Sequence, residues 1–170
     1  MKTINLILVS LFILTAKNLC AQSFEVPKDY QFVLAEDYAQ YEKSIIEAAK
    51  WLKETPSNEQ IEKRKDVSAF VVKWINGSPS VSVEINETIM NFDKKNEGML
   101  VLFMASSAKY VLENNYSKDI RPKQKAALHD MISVYKTGKG IQKDKNMDKL
   151  IKSDADGKLD AWIDENLKMN

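Results

Sequence analysis

The chain has 170 residues, with 25 Lys and Arg against 24 Asp and Glu, one His and one Cys. A balance this even sets up no global field toward nucleic acid or an anionic lipid surface, so no nucleic-acid partner is expected. One Cys and one His exclude disulfide frameworks, thiolate metal sites and multi-histidine zinc sets, so neither a metal nor a cofactor is expected.

Met1-Lys2 is a short positive start, followed by an apolar run from Ile4 to Ala16 and then Lys17-Asn18-Leu19-Cys20-Ala21-Gln22. That is the tripartite layout of a secretory signal. The run falls short of the roughly 20 apolar residues that a bilayer-spanning helix needs. The expected cut follows Ala21, making residues 1–21 a signal peptide and Gln22 the first mature residue. A lipoprotein with its lipid on Cys20 is the competing reading, but it wants a small residue where Leu19 stands. The Ala-Gln junction and the Lys-, Asn- and Ile-rich composition resemble exported proteins of AT-rich, two-membraned bacteria. The expected location is the periplasm or the outside of the cell, with no integral membrane span after cleavage. The mature chain would keep 149 residues, 22–170, and because Lys2 and Lys17 leave with the signal its charge falls near −1. That length suffices for one domain with a sizeable core. Without a cysteine, its stability has to come from packing.

Residues 22–34 have no hydrophobic period and contain Pro27, which reads as an extended arm packed through Phe24, Tyr30 and Phe32. The rest, 35–170, reads as one helical domain. Leu34, Tyr38, Tyr41, Ile45, Ala48, Ala49 and Leu52 recur at steps of three and four. This predicts an amphipathic helix from about Glu36 to Glu54, stopped before Pro56. Ser57-Asn58-Glu59-Gln60 has the spacing of a capping box. The helix it opens carries Ile61, Val67, Phe70, Val71 and Trp74 on one face. Asn76-Gly77, followed by Pro79, predicts a left-handed stop, and the short connection makes the two helices a hairpin.

Ser80 to Ile85 alternates strictly between polar and apolar residues. With no second strand to pair with, it is expected as an extended connector laying Val81, Val83 and Ile85 on the core. A short helix, about Glu87 to Lys94, follows Asn86. Gly98 to Leu112 is the most apolar stretch of the mature chain and has no polar face before Lys109. A helix apolar all round is a central one, and Ala105-Ser106-Ser107-Ala108 lets a neighbour approach closely. Arg121-Pro122 opens another helix, with Pro in the first turn where its missing N–H costs little. Gly138 ends that helix, and Gly138-Lys139-Gly140 reads as a flexible break. Helices of about Lys145–Lys152 and Lys158–Leu167 close the chain. The expected fold is all-α, a single compact domain of roughly six or seven helices around the central apolar one, with one short extended segment near 80–85.

Candidate chemistry is sparse. Asp154-Ala155-Asp156-Gly157 has the look of a calcium loop, but Lys152 and Ile163 then stand where an Asp and a bidentate Glu belong. A helix-turn-helix junction with Asp156 capping the last helix is the simpler reading. Gly138-Lys139-Gly140 lacks the strand, the spacing and the Ser or Thr of a phosphate loop. His129 is a candidate general base whose partner has to come from a distant segment such as Glu47 or Glu84, because Asp130 diverges from it on the helix. Glu84 is a candidate acid, held between Val83 and Ile85, unless the alternation turns it to water. Trp51, Trp74 and Tyr110, with Tyr38 and Tyr41, are candidates for a groove that takes sugars, peptides or a lipid. Met99, Phe103, Met104 and Tyr110 are candidates for an apolar pocket. Asn76, Asn86 and Asn115 begin N-glycosylation patterns that are irrelevant in a bacterium. The expected function is non-catalytic binding of an envelope protein or a small ligand. The alternative is a carboxylate-based hydrolase of cell-envelope glycans, built on Glu84 and a second acid.

Overall fold

The computed structural model describes residues 23–167. The expected signal segment, residues 1–21 with Cys20, lies outside the described residues. Within them the chain forms eight helices and no strand. They are α1 (Ala35–Ala39), α2 (Glu42–Glu54), α3 (Ile61–Gly77), α4 (Glu87–Asp93), α5 (Met99–Glu113), α6 (Ile120–Thr137), α7 (Lys145–Ala155) and α8 (Leu159–Asn166). The fold is an all-α single domain, and no described helix is long and apolar enough to cross a membrane.

Helix α5 is the centre. Met99, Leu102, Phe103, Met104 and Val111 are buried on it, as is the small-residue run Ala105–Ala108, and α2, α3, α4 and α6 all pack against it. Small side chains at four consecutive positions let neighbouring backbones close from several sides, where larger ones would hold them apart. A polar tie joins three of these helices. Asp130 of α6 accepts a hydrogen bond from Lys53 of α2 at 2.5 Å and lies 3.4 Å from the Lys109 ammonium of α5.

The arm packs through its aromatic residues. Tyr30 meets Phe70 edge-on at 4.9 Å, Phe32 stacks on Tyr38 at 5.1 Å, and Phe24 is buried beside Phe70. Val81 is buried and Val83 and Ile85 are half-buried against the core, as the connector reading requires.

Four local expectations need correction, and in each a long-range contact overrides a local rule. The helix expected over 36–54 breaks at Gln40-Tyr41, and Tyr41 then meets Phe32 edge-on at 5.5 Å while Tyr38 stacks on its face. Ser57 caps nothing. Its hydroxyl donates to the Gly140 carbonyl at 2.7 Å, and α3 starts at Ile61 after a left-handed Gln60. Gly77 is helical rather than left-handed, and it is glycine because the Tyr38 hydroxyl occupies the place of a Cβ. The 138–142 loop is pinned rather than free. The buried Asn96 amide pairs with Gln142 both ways, at 3.0 and 2.7 Å, and a Cβ on Gly140 would collide with Ser57 and Asn58.

Burial alone would raise the Asp130 carboxyl. The Lys53 hydrogen bond and the Lys109 charge outweigh it and hold the group below the usual carboxylate range. A carboxyl lowered by folding stabilises the protein at pH above its unfolded value of about 4, and that contribution fades as the pH falls through the lower folded value. Asp130→Ala should therefore cost about 2 kcal/mol at pH 7, between the values for a surface pair and a buried one. In urea titrations the gap between wild type and variant should shrink below pH 4. A gap unchanged down to pH 2 would refute the tie.

Candidate functional site

The connector from α3 to α4 crosses the start of α6. Its entry is shaped by Ser78, whose hydroxyl accepts from the Val81 N–H at 3.2 Å, and Val81 anchors it in the core. Just beyond, Lys123 donates to the Ser82 carbonyl at 2.8 Å and its ammonium lies 2.7 Å from a Glu84 carboxylate oxygen. The Lys123 side chain is 4% exposed and that of Glu84 15%. Lys123 is buried because it falls in register with Ala127 and Met131, four and eight residues on, along the core-facing stripe of α6. The alternation that would send Glu84 to water fails at this point, since a buried cation turns the carboxylate inward.

The pair sits in the wall of a recess of about 300 Å³. Val111, Tyr116 and Ile120 supply apolar wall, and Ser80, Ser117 and Lys118 supply polar groups. Tyr116 is held there in a strained form. Asn115 and Tyr116 have consecutive left-handed backbones, φ 53° and 56°, a conformation costing roughly 1 kcal/mol or more for each non-glycine residue. The strain is fixed at both ends of Tyr116: its N–H donates to the Val111 carbonyl at 2.9 Å and its hydroxyl to Glu42 at 2.8 Å. The Glu42 carboxylate accepting that proton holds the phenol above its ordinary value, so Tyr116 acts here as a donor. Glu42 is also within 3.5 Å of the Ser80 hydroxyl. A neutral ion pair, hydroxyl groups and an apolar wall thus share one small concavity.

Other sequence candidates are scattered. Trp51 is buried beneath Lys63 and Arg64, each 5.4 Å from its ring, and Arg64 is held by the Thr55 and Pro56 carbonyls. Trp74 is fully buried and donates its indole N–H to the Tyr38 carbonyl at 2.9 Å. With both indoles enclosed, Trp51, Trp74 and Tyr110 line no common groove. Met99, Phe103 and Met104 belong to the closed core. His129 lies on the surface 3.1 Å from Asp154, so its partner is neither Glu47, which faces Lys43, nor Glu84. The Asp154–Gly157 segment is a helix-turn-helix junction, yet Asp156 ends α7 rather than capping α8. The Gly157 and Lys158 N–H groups return to the Asp154 and Ser153 carbonyls at 3.0 and 2.7 Å, closing the turn through the backbone. Among the described residues no three acids or histidines gather as a metal site.

Lys123 and Tyr116 escaped the sequence reading. A signal for Lys123 existed, a lone cation on an apolar stripe. None existed for Tyr116, whose role depends on the backbone turn after α5. No protein family, curated protein or solved structure matches the chain.

Removing one member of a buried pair strands the other charge. Lys123→Met should destabilise the protein by about 3 kcal/mol, whereas Lys123→Met with Glu84→Leu should recover most of that loss. Denaturant midpoints of the two variants check this. Equal loss in the single and double variants would mean that the two side chains do not act as a pair.

Proposed function

We propose that the chain is an exported, non-catalytic binding protein whose site is the Glu84–Lys123 recess. The observation that carries this reading is the buried ion pair in the wall of a concavity that also holds a strained, exposed tyrosine. Lys123 has three protons, of which Ser82 and Glu84 take two, leaving one for an acceptor on a ligand. Glu84 brings acceptor oxygens, of which Oε2 faces the Lys123 ammonium at 2.7 Å and Oε1 has no partner among the described ion pairs and hydrogen bonds. A ligand that fits presents a donor and an acceptor together on a small apolar body, as an amino acid or a peptide end does. Apolar wall and few convergent polar groups are the usual make-up of a small-molecule site.

The hydrolase alternative gains less support. Glycoside cleavage by paired carboxylates needs two such groups flanking the bond, about 5–10 Å apart. Glu84 is the one carboxylate in the wall of this recess, and it is engaged with Lys123, while Glu42 is engaged with Tyr116. Export rests on the charged start, apolar run and Ala21-Gln22 junction of the sequence.

Calorimetric titration of mature protein with single amino acids and dipeptides should give saturable heats that Lys123→Met abolishes. Expression of the whole chain should yield an envelope or culture-fluid form beginning at Gln22. Turnover of a cell-wall glycan, lost in Glu84→Gln, would replace the binding reading with the hydrolase. An uncut chain confined to the cytoplasm would end the export reading.

A further inference from the structure

A second recess, sharing no residue with the first, lies where α4, α7 and α8 meet. Helix α4 contributes Thr88, Asn91 and Phe92, α7 Asn146 and Lys149, and α8 Trp162 and Asn166, in each case side chains three or four apart and hence on one face. Its volume is about 220 Å³, and no carboxylate lines it.

The scaffold around it is fixed. Buried Phe92 lies beside the Trp162 ring at 6.3 Å and 34°, and Asn86 donates to the Asn166 carbonyl at 2.7 Å, tying the end of α8 to the start of α4. The Asn166 side chain is in turn held by the Trp162 carbonyl at 2.9 Å. The groups facing the hollow are uncommitted. Within the described residues the Thr88, Asn91 and Asn146 side chains make no hydrogen bond and Lys149 makes no ion pair. Thr88 and Asn91 are half-buried and Asn146 and Lys149 exposed, so their polar groups stay open to solvent, and they converge around a half-exposed indole.

We propose that this recess binds one ring of a saccharide. A primary amide offers a donor and an acceptor in one plane, which matches two neighbouring hydroxyls of a sugar. The indole gives an apolar face for the C–H side of the ring, the amphipathic use to which Trp is suited. The hollow holds one ring and little more. Lys149 adds a single cation at the wall, so a ring bearing a carboxylate gains over its neutral counterpart.

Trp162 makes the test specific, because Trp51 and Trp74 are buried and Trp162 is the half-exposed indole among the three. Mature protein is titrated with glucose, N-acetylglucosamine and glucuronate while tryptophan fluorescence and the side-chain amide signals of Asn91 and Asn146 are followed. The expected result is a saturable change with a dissociation constant on the order of 1 mM for at least one sugar, glucuronate binding more tightly than glucose. Asn91→Ala and Asn146→Ala should each weaken binding about tenfold with the helical circular dichroism unchanged. Trp162→Phe, which keeps an aromatic ring against Phe92, should remove the fluorescence response while the amide signals still report weakened binding. No saturable response to any of the three sugars overturns the proposal, as does unaltered affinity in both Asn variants.

Discussion

Helix α5 has almost no polar face, and the rest of the chain is organised by the need to enclose it. Without a cysteine in the described residues there is no crosslink, so the free energy that holds α2, α3, α4 and α6 together comes mainly from removing apolar surface from water. Phe70 and Trp74 are fully buried on α3, each worth about 1.5–3 kcal/mol on transfer from water. The small run Ala105–Ala108 lets several helices reach α5 at once. That closeness buries the Ser106 and Ser107 hydroxyls without a hydrogen bond among the described residues, but a carboxylate in the seam has to find partners. Asp130 does so with Lys53 and Lys109, which is why one carboxylate speaks to three helices.

The elements legible in the sequence were those set by local periodicity and by caps. The central helix, the short helix after Asn86, the Gly138 stop and the extended 80–85 connector all follow from spacing and turn chemistry, and the structure has them. What could not be read was wherever a side chain serves a remote segment. Ser57 has the residue type and spacing of a cap, but the carbonyl of Gly140, 83 positions later, claims its hydroxyl. Gly77 has the residue type of a left-handed stop, but Tyr38 claims its space. Local rules predict what a residue can do next to its neighbours. They say nothing of a better partner brought in by the fold.

The same limit applies to the sites. Glu84 was noticeable in the sequence because it interrupts an apolar alternation, yet its meaning depends on Lys123, which lies on another element and joins it through tertiary packing. Trp51 and Trp74 stand at helical spacing, which marks core and nothing more, and both are buried. Trp162, on a short helix near the end of the chain, carries a weaker pattern and a more accessible ring. Accessibility belongs to the fold, since it depends on which neighbours cover an indole.

Stability alone gives little reason for a buried lysine on the core stripe of α6. Taking an ammonium and a carboxylate out of water costs several kcal/mol each, and a well-packed apolar pair of the same volume is often as stable or more so. Were the Glu84–Lys123 pair only a fastener, Leu and Met would serve. Asn115 closes α5 as a left-handed cap, with the Tyr116 N–H returned to the Val111 carbonyl at 2.9 Å, but the second left-handed residue, Tyr116, is one that Gly would adopt at lower cost. Two costly features meet in one recess, and both place polar groups in its wall. Strain of this kind clusters at ligand-binding sites, and that is the support it lends to the binding role proposed above. That coincidence, more than any single distance, separates this recess from an ordinary gap between helices.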